Sequence, residues 1–165
     1  MITTANNILN TVWENRYFPV DPIWIAKKMG LSVYSLETPP DVSGALVKRA
    51  DRDPVILLNQ NDSEQRMRFT CAHELGHYIQ RLESNIENSK EYEYVDLFSK
   101  LSQENQNEEE KLANKFALAL LIPKEALLHD VKENCSPAMM AYRFGVPDDV
   151  IRVALEEYGI HGYGR

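Results

Sequence analysis

Two histidines four residues apart, His73 and His77, lie inside the stretch "FTCAHELGHYIQ" (69–80), with Glu74 and Gly76 between them. This pattern restricts the fold more tightly than any other in the chain. On an α-helix each residue advances about 100°, so positions i and i+4 differ by only about 40°. His73 and His77 therefore project side by side, one turn apart. Both rings can then reach one ion at the roughly 2.0–2.1 Å of a zinc–nitrogen bond. Glu74 sits about 100° round from His73, out of the ligand set but able to lean over a water at that ion. This is why H-E-x-x-H pairs two ligands with a general base. Gly76 removes a side chain beside the pair and lets another backbone pack close. The pattern arises by chance in roughly one chain in a few hundred of this length, and a lone histidine on an apolar face is more often structural. A third donor from another rigid element must complete it.

Asp62, with Gln65 three residues on, reads as the capping box of a long helix running to about Leu82. Ala72, Leu75, Ile79 and Leu82 would form its core face. A second helix, "EEEKLANKFALALL", begins near Glu108 and runs to Pro123. Its buried stripe would be Leu112, Ala113, Phe116 and Leu120, and alanines at 113, 117 and 119 allow a close approach. Glu110 is the carboxylate this helix offers as third ligand. Asn107 followed by Glu110 is equally a capping box, and Glu108 and Glu109 suit the first turn of a helix dipole. The pattern leaves these readings open. Asn114, one turn from Glu110, could accept the outer N–H of a ligand histidine and so fix its tautomer.

The remaining chain reads as α+β. Residues 4–14 place Ile8, Leu9, Val12 and Trp13 on one helical face. In "VDPIWIAKKMG", Asp21 suits an N-cap, Pro22 the first helical position and Gly30 the residue past the end. "LSVYSL" (31–36) alternates as a strand, and runs 44–49 and 55–58 flank a polar turn as a hairpin. A small antiparallel sheet of about three strands is expected. Short helices follow at 124–133, 137–144 and 147–158, giving a mainly helical domain with a helical C-terminal part. The polar segment 85–110 reads as a surface excursion with one short ordered element near Tyr92–Phe98.

Length and charge narrow the function classes. At 165 residues the chain suits one domain, 1–165. No apolar run approaches the roughly 20 residues of a membrane span. The N-terminus lacks a basic start with an apolar block, and Cys71 and Cys135 make no disulfide framework, so a cytoplasmic setting is expected. Cys71 points away from the histidines and reads as a small buried hydrophobe. A net charge of −7 opposes a broad grip on nucleic acid. The helix pair around Gly145 has a helix-turn-helix look, but "PDDVIRVALEEYG" carries four acids and only Arg152, the wrong sign for a recognition helix.

Together, "RFTCAHELGHYIQ" and "EEEKLANKFALALLIPKEAL" resemble the ImmA/IrrE family of zinc metallopeptidases. That family shows R-F-T-x-A-H-E-L-G-H, then E-x-x-A-N-x-F-A closing on L-L-[MI]-P. The likeness extends to "VDPIWIAKKMGLSVYSL", "SGAL", "VILLN" and "MMAYRFGVPDDVIRVALEEYG", most of residues 3–159. Cys71 and Ile122 occupy variable positions. The resemblance implies a zincin-like fold, one zinc per chain held by His73, His77 and Glu110, and Glu74 as general base. It also implies a specific regulatory protein as substrate, a repressor or toxin–antitoxin partner encoded nearby. Many members carry an additional helix-turn-helix DNA-binding domain, and none is expected within these residues.

Competing expectations are a zinc-containing regulator or antitoxin that acts by docking, and an acidic structural domain whose histidines only hydrogen-bond. The polar loop 84–107 suits a narrow, partner-gated peptidase better than general digestion. An oxyanion donor would be needed. Tyr78, Arg68, His129, Tyr142, Arg143 and His161 qualify by chemistry alone.

Overall fold

The computed structural model describes residues 1–14, 16–84, 91–97 and 107–163. In chain order the elements are α1 (Ile2–Thr11), α2 (Pro22–Lys28), β1 (Ser32–Leu36), β2 (Val42–Lys48), β3 (Val55–Asn59), α3 (Glu64–Glu83), β4 (Tyr92–Leu97), α4 (Glu108–Leu121), α5 (Lys124–Lys132), α6 (Pro137–Phe144) and α7 (Asp148–Glu157). The expected α+β class, mainly helical with a small sheet, is what the chain forms. Most of loop 84–107 lies outside the described residues.

Local chemistry explains most boundaries. Asp21 Oδ1 accepts from the N–H groups of Ile23 and Trp24, and Pro22 opens α2 without a wasted donor. Gly30 just beyond α2 has φ +90°, a backbone state that side chains resist. Ser136 caps α6, and Gly145 ends it in the left-handed region at φ 65°. The start of α3 differs from expectation by one residue. Ser63, not Asp62, is the N-cap, its hydroxyl accepting from Arg66 N–H at 3.1 Å. Asp62 lies in the preceding turn, where its backbone N–H donates to Asn59 O.

Among the described residues the sheet has four strands in the order β1-β3-β2-β4, not three antiparallel ones. β2 pairs antiparallel with β3 (Leu46 opposite Ile56), as the hairpin reading requires. β4 adds on the other side of β2, with Tyr94 opposite Leu46. β1 instead pairs parallel to β3, Ser32 opposite Val55. Pro39 and Pro40 between β1 and β2 oppose a tight hairpin turn, so β1 docks on the far edge of the β2–β3 pair. Alternation reveals strands but not which edge a distant strand will choose.

α3 runs through the middle of the molecule, between the sheet and α4. Phe69, Cys71, Ala72, Leu75 and Ile79 are buried on it, against Leu46, Ile56 and Leu58 of the sheet and Phe116 and Leu120 of α4. Burial raises the Cys71 thiol far above its ordinary range, which suits an inert packing residue. Two of the residues expected in the core are not. Leu82 and Leu112 are 39% and 38% exposed. Gln80 donates to Glu109 O near the start of α4, so Leu82 lies beyond the stretch of α3 that α4 covers.

Candidate metal centre

The α3–α4 contact is built from small residues. A Cβ on Gly76 would stand 2.9 Å from Ala113 Cα, 3.0 Å from Ala113 O and 3.3 Å from Phe116 Cβ. Even a methyl group would strike the α4 backbone there, so the close approach of α3 and α4 depends on Gly76. On the opposite side, a Cβ on Gly44 of β2 would meet the Thr70 methyl at 2.5 Å. Glycine thus lets α3 lie tight against both of its neighbours.

That proximity carries Glu110 to the histidines. Asn107 Oδ1 accepts the Glu110 N–H at 2.9 Å, as a capping residue should. The Glu110 side chain does not return to close a capping box. It reaches across the seam, with Oε2 3.2 Å from His73 Nε2 and Oε1 3.5 Å from His77 Nε2. The two Nε2 atoms lie 3.1 Å apart. Ligands of a tetrahedral zinc at about 2.05 Å would sit roughly 3.3 Å from one another. The donor spacings are close to those of a tetrahedral metal site, and these three residues form a group able to hold a metal ion.

Burial makes the arrangement consequential. His73 and His77 are each 2% exposed and Glu74 is 0% exposed. Burial alone would raise the Glu110 carboxyl, but hydrogen bonds and charge from His73 and His77 outweigh it and hold the group well below the ordinary carboxylate range. Glu110 thus stays ionised, the form a ligand requires.

Each imidazole is also held from outside. Asn114 Oδ1 lies 2.8 Å from His73 Nδ1, placed to accept its proton in the tautomer that leaves Nε2 free for a metal. Tyr94 of β4 stacks on His77, with centroids 4.3 Å apart and planes inclined by 14°. Arg81 sits 5.6 Å from the Tyr94 ring and 4.9 Å from Tyr92. Burial pushes the Tyr92 hydroxyl up to about 12, reinforced by Tyr78 and opposed by Arg81.

The structure brings His73, His77, Glu110 and Asn114 together, with Glu74 buried one residue from His73. Several residues qualified by type alone are engaged elsewhere. Arg68 donates to Val20 O and pairs with Glu64. His129 and Arg143 both face Asp130, while Tyr142 is 88% exposed. Tyr78 is half-buried on α3, and His161 is exposed near the C-terminal end. Tyr94 and Arg81 went unrecognised in the sequence. Alternation in "YEYVDL" puts Tyr92 and Tyr94 on one face, but only the pairing of β4 with β2 sets that face over α3.

Residues 26–156 match the family model described as the IrrE N-terminal-like domain, a peptidase family of the metallopeptidase type. The match spans most of the chain, and the chain belongs to this family. No curated protein matches it. No helix among the described residues is long and apolar enough to cross a membrane.

Proposed function

We propose that this member of the IrrE N-terminal-like peptidase family is a cytoplasmic zinc-dependent endopeptidase that cleaves a specific regulatory protein. His73, His77 and Glu110 would hold one zinc per chain, and Glu74 would be the general base. The observation that supports this most is the convergence of two imidazole nitrogens and one carboxylate, from two helices, at spacings close to the edges of a zinc tetrahedron.

When bound, zinc supplies a Lewis acid and brings the pKa of water toward neutrality. The protein's own residues do the rest. Glu74 accepts a proton from the attacking water on a carboxylate oxygen and returns it to the departing amine nitrogen. Its burial strengthens that transfer, because few waters compete for the carboxylate. Asn114 holds His73 in the tautomer whose Nε2 faces the site. The Gly76–Ala113 contact keeps α4, and with it Glu110, at fixed distance from the histidines.

The substrate class follows from the family resemblance rather than from the site: a repressor or toxin–antitoxin partner, encoded nearby. The test is to co-express the chain with the product of the adjacent gene and follow cleavage by intact-protein mass spectrometry. Glu74→Gln should retain about one zinc per chain and lose cleavage by at least about a hundredfold. If the variant still controls that partner as the parent does, the chain acts by docking and the endopeptidase reading falls.

A further inference from the structure

We infer that Tyr94 is a positioning residue for the metal centre, holding the plane of the His77 imidazole, and that Arg81 pins Tyr94 in that pose. The inference rests on the metal-centre reading above and extends it from α3 and α4 to the sheet.

The geometry is a two-layer stack. His73, His77 and Arg81 recur every four residues and share one face of α3. Tyr94 and Tyr92, two residues apart on β4, share one face of the sheet. Tyr94 covers the face of the His77 ring at 4.3 Å with planes 14° apart. His73 meets the same ring edge-on, with centroids 4.8 Å apart and planes at 84°. The His77 ring therefore cannot turn about its Cβ–Cγ bond without separating from Tyr94 or striking His73. One turn further on, Arg81 sits against both Tyr94 and Tyr92, where a cation favours the electron-rich ring faces. The pairing of Tyr94 with Leu46, which is fully buried, fixes the height of the tyrosine along α3.

His73 and His77 are thus oriented by different means. Asn114 acts on His73 through a hydrogen bond from α4, and Tyr94 acts on His77 through ring stacking from β4. Stacking on His77 needs the ring, whereas the hydroxyl meets Arg81, so the phenylalanine variant keeps the stack and loses only that part of the pin.

The experiment measures metal binding, not cleavage. Zinc affinity of the full chain is read by competition with a chromophoric chelator, and ligand geometry by the visible absorption of the cobalt(II)-loaded protein. Tyr94→Leu keeps an apolar side chain but no plane. It should weaken zinc about five- to tenfold and shift the cobalt bands. Tyr94→Phe, which keeps the stacked ring, should return the cobalt bands to the parent positions and zinc affinity to within about two- to threefold of the parent. A merely structural tyrosine would lower the melting temperature of the metal-free protein and leave affinity and cobalt bands alone; that result overturns the inference. Should Tyr94→Leu not fold, Arg81→Met carries the test, with a loss of about two- to threefold expected and an unchanged affinity counting against it. A parent chain that takes up neither zinc nor cobalt overturns the metal centre itself, a failure distinct from any difference among the variants.

Discussion

The seam between α3 and α4 and the outer surface around α6 carry similar residue types but differ in what surrounds them. At the seam, the buried His73 and His77 converge with the half-buried Glu110, and the buried Glu74 lies next to His73 in the chain. Around α6, a hollow of about 470 Å³ is lined by Phe18, Pro19, Arg68, Tyr142 and Arg143. Its cations are already answered locally: Arg68 by Glu64, Arg143 by Asp130. The hollow offers aromatic and cationic side chains, yet nothing in it converges on a point. Residue type does not make a site. Backbones close enough to bring donors from separate elements within 3–4 Å do, and at the seam glycine and alanine allow this.

The most damaging change to the seam is therefore the smallest addition. Gly76→Ala would favour α3 by about 1 kcal/mol through helix propensity alone. The new methyl meets backbone atoms of α4 at 2.9 and 3.0 Å, which cannot rotate away. We expect a net loss of about 1–3 kcal/mol in stability, read by denaturant unfolding of the metal-free protein. A larger loss of zinc affinity should accompany it, because Glu110 moves away with α4. A variant as stable as the parent would show that the helices separate easily, and the contrast with the surface would fail.

A change that leaves the backbones in place sharpens the same contrast. Asn114→Ala removes the acceptor at His73 Nδ1 while leaving the Gly76–Ala113 contact intact. Zinc affinity should fall about ten- to a hundredfold, read by chelator competition. Stability of the metal-free protein should move by about 1 kcal/mol, the worth of one hydrogen bond. If the two effects were of equal size, Asn114 would be a structural residue that happens to touch a histidine.

How much of this was legible in the chain follows the reach of each signal. His73, Glu74 and His77 lie within five consecutive residues, so helical periodicity alone places them. Gly76 told of a close backbone, and Ala113 is the backbone it meets. Glu110 was balanced between capping and ligation because both use the same residue; only the position of α3 turns its side chain across the seam. The parallel docking of β1 and the stacking of Tyr94 on His77 depend on strand pairing between segments far apart in sequence, for which alternation carries no register. At the cap of α3, Ser63 and Asp62 are adjacent and both suit the position by type, so pattern alone does not separate them, and Ser63 takes it.

The smallest expected effect lies on the other side of the comparison. Tyr142 is the most exposed large aromatic among the described residues, at 88%, and it rims the hollow beside Arg143. By residue type it could have served as an oxyanion donor. By position it touches neither histidine nor Glu110, and removing an exposed side chain takes little apolar surface out of contact. Tyr142→Ala should change stability by no more than about 0.5 kcal/mol. Zinc affinity and cobalt absorption should match the parent, because no element of the seam moves. Should Tyr142→Ala nonetheless abolish cleavage of the protein substrate with the metal centre unchanged, the α6 surface would be a docking face for that substrate. The division drawn here would then run between chemistry at the seam and recognition at the surface, rather than between a site and an inert hollow.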